Sequence, residues 1–198
     1  MHKKSRIAIF ASGTGSNAEE IFNYFRNHHS IEVVCLLCNK PEAQVLARAQ
    51  QWAIPARVVD RNEFKEPKVV LDWLADKQVT HIVLAGFLWL VPEYLIDAFP
   101  NRIVNIHPAL LPKYGGRGMY GSKVHEAVKQ SGDRETGITI HLVNEKYDEG
   151  RVLFQAKCEV DQSDSPEEIA NKVHQLEHTS YPRVIENWIE NDSWGAHE

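Results

Sequence analysis

Cysteine is scarce: three residues in 198, at positions 35, 38 and 158, which suits a reducing compartment. Cys35 and Cys38 do spell C-x-x-C. They fall inside the strand-like run Ile31-Glu32-Val33-Val34-Cys35-Leu36-Leu37-Cys38, where residues three apart face opposite sides, so two packed thiols are expected rather than a redox or metal pair. No apolar run approaches the roughly 18 residues a membrane span needs. The basic N-terminus leads through a short apolar stretch into Ser12-Gly13, which reads as a first strand and not a signal peptide. Positive charge is not in excess: 22 Lys and Arg against 27 Asp and Glu give a formal net charge of −5, so there is no general electrostatic reason to bind nucleic acid. Internal repeats, linkers and low-complexity tracts are absent. What remains is the composition of a soluble globular protein, 43% hydrophobic and 25% charged, long enough to bury a core as one large domain.

The pattern that is present alternates strands and helices. Arg6-Ile7-Ala8-Ile9-Phe10-Ala11 is a continuous apolar run, as in a strand buried on both faces. Further strands are expected at 32–38, 54–59 and 81–85, with helices at 18–25, 43–52 and 67–77 between them. Short connections of this kind predict a doubly wound, mostly parallel α/β sheet. After the first strand, Ser12-Gly13-Thr14-Gly15-Ser16-Asn17 leads into a helix. Strand, Gly/Ser turn and helix N-terminus make either a phosphate cradle or a plain connecting turn. The dinucleotide fingerprint is missing, because Ala18 takes the third glycine's place, and no Gly-Lys-Ser/Thr of a Walker loop follows. Asn39-Lys40 stands where an NAD site needs an acidic ribose anchor. Gly86-Phe87-Leu88-Trp89-Leu90-Val91 follows the fourth strand, either covering a flat heteroaromatic ring or packing in the core.

The most informative stretch is Ile103-Val104-Asn105-Ile106-His107-Pro108. Asn105 and His107 stand two apart, so a strand presents both on one face, and Pro108 and Pro112 take the chain out of the sheet at the edge where open α/β sheets bind ligands. An amide and an imidazole there suit a developing oxyanion; equally, they are a turn cap and a satisfied core histidine. The glycine-rich run 113–121 is a mobile loop, either a lid or a surface loop. Gly137-Ile138-Thr139-Ile140-His141-Leu142-Val143 alternates as a strand and returns through 152–155, an antiparallel addition to the sheet. Asp148 in the intervening turn either approaches His107, raising its pKa and holding an imidazolium, or is a solvated turn acid. Ser165-Pro166-Glu167-Glu168 is a capping box. The helix it opens is expected to run through Glu177 and His178 and break at Tyr181-Pro182, a last helix following to about Glu190. His174 and His178 share a helical face, but a third ligand and a water-activating acid are missing, so no metal is expected.

From Ile7 to about Trp188 the chain resembles the phosphoribosylglycinamide formyltransferase family of folate-dependent enzymes. The stretches that carry the likeness are Ser12-Gly13-Thr14-Gly15-Ser16-Asn17, Leu84-Ala85-Gly86-Phe87, Asn105 through Tyr114, Thr136 through His141, Asp148 with Gly150, and Glu177-His178 with Tyr181-Pro182. Singly weak, in this order and spacing they are specific. The resemblance implies a Rossmann-like formyltransferase fold in one domain, 1–198, with a phosphate-binding half (1–100) and a catalytic and folate-binding half (101–198). It implies formyl transfer from 10-formyltetrahydrofolate, a co-substrate, to the amine of phosphoribosylglycinamide in purine synthesis. By it, His107, Asn105 and Asp148 are catalytic. Gly15, Ser16, Asn17 and Ala18 hold the nucleotide phosphate, and Glu177 lies near the amine. Leu88, Trp89, Leu90, Val91, Asn105, Asn144, Glu145, Lys146, Tyr147 and Asp148 line the folate pocket. Trp89 stands where the family often has an arginine, Pro67 falls near a second such position, and Asp148-Glu149-Gly150-Arg151 replaces a commoner Asp-Gly-Gly-Pro. A cytoplasmic enzyme with small-molecule substrates, no metal and no nucleic-acid or membrane partner is expected, a homodimer being left open. A tRNA formyltransferase lacks support, since no basic C-terminal extension is present. A formyltetrahydrofolate hydrolase usually carries a second histidine where Pro108 stands.

Overall fold

A computed structural model describes residues 4–191. Seven strands form one sheet in the order β3-β2-β1-β4-β5-β6-β7. They are β1 (Ser5–Ala11), β2 (Ile31–Cys38), β3 (Ala56–Val58), β4 (His81–Leu84), β5 (Ile103–His107), β6 (Glu135–Leu142) and β7 (Val152–Glu159). The first five are parallel, while β6 runs antiparallel to β5 and β7 to β6. The predicted mostly parallel sheet with an antiparallel addition is therefore present. Strand order reverses between β1 and β4, and at such a switch point the loops leaving the two carboxyl ends diverge and open a crevice.

The helices are α1 (Ser16–Phe25), α2 (Gln44–Gln51), α3 (Arg61–Lys65), α4 (Pro67–Asp76), α5 (Glu93–Ala98), α6 (Ser122–Ser131) and α7 (Pro166–Glu190). They divide the core into two layers. Ile7, Ile9, Cys38, Val83 and Val104 pack with Ile21 and Phe22 of α1 and Tyr181 and Ile185 of α7. Ala8, Phe10, Cys35, Leu37 and Ile82 pack on the other face with Phe64, Val70, Leu74 and Leu95. Cys35 and Cys38 thus lie in opposite layers as free thiols, as their spacing in a strand requires.

One element departs from expectation. The helix does not break at Tyr181-Pro182: α7 is continuous for 25 residues with Pro182 inside it. A proline within a helix removes one backbone hydrogen bond. Here the loss is offset by burial, since Ile169, Val173, Tyr181, Ile185 and Trp188 all face the sheet or α6, and the fully buried Tyr181 hydroxyl donates to the carbonyl of Leu84 at 2.8 Å. Breaking the helix would withdraw that face from the core. The start of α7 is as expected: Ser165 accepts from the Glu168 N–H, and the Glu168 side chain reaches back to the Ser165 N–H. Among the described residues, no helix is long and apolar enough to cross a membrane.

Candidate active site

A cavity of about 1180 Å³ opens at the switch point, larger than the usual single-ligand pocket and wide enough for two small substrates. Its floor is made by β5. Register places Asn105 opposite His141 of β6 and His107 two residues further along the same face. The turn after β6 brings Asp148 over them. Its Oδ2 lies 3.5 Å from His107 Nδ1 and its Oδ1 lies 3.6 Å from His141 Nε2. The three residues singled out in the sequence therefore meet, joined by His141, which sequence reasoning left without a role.

Hydrogen bonds fix how these groups are presented. His141 Nδ1 lies 2.9 Å from the Leu142 carbonyl; a carbonyl only accepts, so the hydrogen sits on Nδ1 and Nε2 is free to accept from the Asn105 amide at 3.2 Å. One amide hydrogen of Asn105 is thereby anchored and the other is left for a ligand. By the same reasoning His107 Nε2 carries a hydrogen, donated to the Tyr114 carbonyl at 2.7 Å, which turns Nδ1 toward Asp148. Tyr114 and Asp148 both have φ of +57°, a left-handed conformation that costs a non-glycine residue on the order of 1 kcal/mol and tends to collect at functional sites. Gly150 lets this turn close, because a side chain there would run into the Leu142 carbonyl.

The charge state of His107 differs from expectation. Burial lowers its pKa, and this outweighs the upward pull of the Asp148 carboxylate and the Tyr114 carbonyl. In the free protein the imidazole is therefore more readily neutral than an exposed one, not held as an imidazolium. Asp148 stays ionised. Burial raises its pKa, but the polar contacts with His141 and His107 and the hydrogen bond from the Gly116 N–H together bring it below the ordinary carboxylate value.

The glycine-rich segment is partly anchored rather than free along its whole length. Lys113 pairs with Asp133 at 2.9 Å, the Tyr114 hydroxyl bonds Ser131 and Asp133, and the Gly116 N–H donates to Asp148 at 2.9 Å. Residues 116–121 line the cavity beyond these ties.

On the other side stand residues 12–17. Gly15 caps α1 at φ +78°, and a side chain there would collide with Val45. Arg48 of α2 fastens this loop, bonding the Thr14 carbonyl at 2.9 Å and pairing with Glu19. Gly15, Ser16 and Asn17 line the cavity, whereas the Ala18 side chain is fully buried in the core and contributes only close packing. Asn17 donates to Glu177 at 2.9 Å. Glu177 is 6% exposed, and burial raises its pKa against the pull of Asn17, His174 and His178. Close by, His125 of α6 is 3% exposed with Nδ1 unpartnered; burial and the neighbouring His174 and His107 bring its pKa down to about 4.

Leu88, Trp89, Leu90 and Val91 form an apolar wall after β4, held by the Leu88 N–H donating to the Ser12 hydroxyl at 3.0 Å. Asn144, Lys146, Tyr147 and Asp148 line the opposite rim, but Glu145 is exposed outside the lining. Lys40, Arg61, His125, His141 and His174 also line the cavity. His141 could have been found from the alternation of β6 had its pairing register been known; a helix too short for periodicity supplies Arg61. Among the described residues, His28, His29 and Glu190 could together hold a metal ion, and none of the three lines the cavity.

A glycine-capped helix start, an amide, an imidazole and a carboxylate line one cavity at the switch point of a doubly wound sheet, the arrangement of an enzyme of this fold class, and comparison identifies its kind. The model of the formyl transferase family matches residues 5–185, and the chain belongs to that family. It is 41% identical, over 92% of its length, to a protein of Arabidopsis thaliana named phosphoribosylglycinamide formyltransferase, chloroplastic, of which it spans 65%. It is 34% identical to the Bacillus subtilis phosphoribosylglycinamide formyltransferase, covering 93% of this chain and 94% of that one. The crystal structure of phosphoribosylglycinamide formyltransferase from Brucella melitensis superposes with a TM-score of 0.84 at 33% identity, over 94% of this chain and 96% of that one. The chain thus spans just under two thirds of the plant relative and nearly all of the bacterial ones.

Proposed function

We propose that this chain transfers the formyl group of 10-formyltetrahydrofolate to the amine of phosphoribosylglycinamide, giving the formylated ribonucleotide and tetrahydrofolate in purine synthesis. The observation that carries the reading is the meeting of Asn105, His107 and Asp148 in one cavity whose far wall is a glycine-capped helix start. The α1 N-terminus at Gly15, Ser16 and Asn17 suits the phosphate, since free N–H groups and the helix dipole favour an anion. The buried Glu177 then lies toward the amine, and the wall at 88–91 with Asn144, Lys146 and Tyr147 suits the flat rings of the folate. Residues 1–198 are read as one catalytic domain, although the Asn17–Glu177 bond joins its two halves at the site. The three free thiols fit a reducing compartment, and we assign the enzyme to the cytoplasm.

In this mechanism the amine nitrogen attacks the formyl carbon directly, and the carbonyl electrons move onto oxygen. The remaining Asn105 amide hydrogen donates to that oxyanion, and the proton that leaves the amine through Asp148 passes to His107 Nδ1, 3.5 Å from its Oδ2, where the oxyanion's negative charge reverses the effect of burial. Asp148, ionised in the free protein, takes the proton the amine must lose. The C–N bond to the folate nitrogen then breaks, the carbonyl re-forms, and the folate nitrogen takes that same proton from the His107–Asp148 pair as it leaves, which returns both side chains to their resting forms. Holding both substrates in line contributes several kcal/mol on its own, by an order-of-magnitude argument.

The test is release of tetrahydrofolate by the purified chain with and without the ribonucleotide amine. Release that depends on the amine, matched by formylated product, supports a transferase. Equal release without it supports a hydrolase, and tight dinucleotide binding with no release points to an oxidoreductase on the same scaffold.

A further inference from the structure

Away from the cavity, the turn after α1 and the end of α7 bring four metal-ligating side chains together. His28 and His29 are adjacent in the turn between α1 and β2, and Glu186 and Glu190 stand four apart in α7, so both carboxylates share one face of the helix. His28 Nε2 lies 2.9 Å from Glu186 Oε1, and His29 Nε2 lies 3.6 Å from Glu190 Oε1. Ligand atoms of His28, His29 and Glu190 all lie within 4.8 Å of one another. None of the four residues lines the cavity, and the reaction assigned there uses none of them.

The hydrogen bonds decide which nitrogen His28 offers. Its Nδ1 faces the Ile31 N–H at 3.2 Å and the Ser30 N–H at 3.4 Å. A backbone N–H only donates, so Nδ1 keeps its electron pair, the hydrogen sits on Nε2, and Nε2 donates to Glu186. A carboxylate on one ring nitrogen is the usual support of a metal-ligating histidine, because it fixes the tautomer and the ring plane and makes the other nitrogen a better base. The ring is also packed: its side chain is 10% exposed, Phe25 meets it edge-on at 5.3 Å, and the Tyr24 hydroxyl bonds the same Glu186. Lys4 pins the turn by donating to the His28 carbonyl at 2.7 Å. An ion at Nδ1 displaces only the two N–H contacts, which are at the long end for hydrogen bonds.

A tetrahedral ion with bonds of about 2.0–2.1 Å holds its ligand atoms about 3.4 Å apart. The separation of His29 and Glu190 is already near that, and the His29 side chain, 81% exposed, is free to adjust. Two imidazoles and a carboxylate suit zinc with one open position, whereas magnesium and calcium call for oxygen ligands. The last turn of α7 carries no basic residue, so a cation there also meets the negative end of the helix dipole.

We propose that His28 Nδ1, His29 Nε2 and the Glu190 carboxylate bind a zinc ion, with Glu186 positioning His28, and that the ion clips the end of α7 to the turn before β2. The site is structural. It joins segments that are 160 residues apart at Ser30 and Glu190, and it steadies the helix that carries Glu177 to the cavity. It stands whether or not the cavity transfers a formyl group.

The experiment titrates zinc by calorimetry into the purified chain, carrying no histidine tag and dialysed against a chelator, and follows the thermal midpoint in parallel. About one ion should bind per chain, and zinc at about one hundred times Kd should raise the midpoint by roughly 5 °C or more. Magnesium at the same concentration should leave it unchanged. His29→Ala and Glu190→Gln should each raise Kd by about tenfold or more. Both side chains are exposed, so the metal-free midpoints should stay within about 2 °C of the unmodified chain, which separates lost binding from lost folding. Glu186→Ala should weaken zinc by about tenfold, and Glu186→Gln, whose amide oxygen still accepts from His28 Nε2, should recover part of the loss. Absence of zinc binding, a magnesium response equal to that of zinc, or binding that persists unchanged when His29→Ala and Glu190→Gln are combined overturns the proposal.

Discussion

At the residue scale, the site shows a contest between burial and charge. Asp148 approaches His107 closely enough to raise its pKa, yet the imidazole is almost fully buried and the net direction is downward. The sign has a measurable consequence. If neutral His107 and ionised Asp148 are the resting forms, lowering the pH disables His107 only when it takes a proton in the free enzyme, which its lowered pKa puts below the ordinary 6.5. The acid limb of kcat/KM also carries the substrate amine, which must be neutral to attack and ordinarily titrates at about 8, so the His107 step is read by NMR titration of the free protein: its midpoint should lie below pH 6.5, and a midpoint above that value would mean that the Asp148 charge dominates. Asn105 permits a second expectation. Its amide is fixed by His141 at one hydrogen and offers the other, so Asn105→Ala should lower kcat by about 10²–10³, the usual loss for one oxyanion donor, with both KM values little changed. A loss confined to KM would make it a binding residue only.

At the scale of elements, the site depends on how α1, α6 and α7 meet the sheet. Gly15 serves both as a cap with positive φ and as a point of close approach to Val45 of α2. Gly15→Ala should displace the loop, raising KM for the ribonucleotide by roughly tenfold or more and destabilising the fold by about 1 kcal/mol or more. Equal KM values for both proteins would remove this loop from phosphate binding. Between α6 and α7, His125 remains neutral down to about pH 4. Its folded pKa lies below its unfolded one, so the unfolded chain binds the proton first and stability falls as pH drops from about 6.5 to about 4. The shift of about 2.5 units sets an upper scale near 3 kcal/mol for that loss. His125→Leu should flatten the fall in stability over that range when urea midpoints are followed against pH; an unchanged slope would assign it to other groups.

At the scale of the molecule, the parallel half of the sheet was legible because strands buried on both faces leave continuous apolar runs. The shared face of Asn105 and His107 followed from their spacing of two. Other features had no local trace. The helices α3 and α5 have five and six residues, too few for a period to emerge, and so Arg61 went unnoticed. Pro182 obeys a local rule that packing of the Tyr181 face overrides. His141 became visible only through its register with Asn105. Asp148, 41 positions after His107 in the chain, could be joined to it through the resemblance alone, and the charge state of His107 depends on a burial that exists only once the sheet and loops close. The central claim is that Asp148 removes the amine proton beside the Asn105 and His107 pair. It is tested most directly by the turnover of Asp148→Asn, which keeps the shape of the side chain and removes its charge. The expected result is a kcat lower by about 10³ or more, with the circular dichroism spectrum and both KM values close to those of the unmodified chain. Turnover within a few-fold of the unmodified chain would contradict the account.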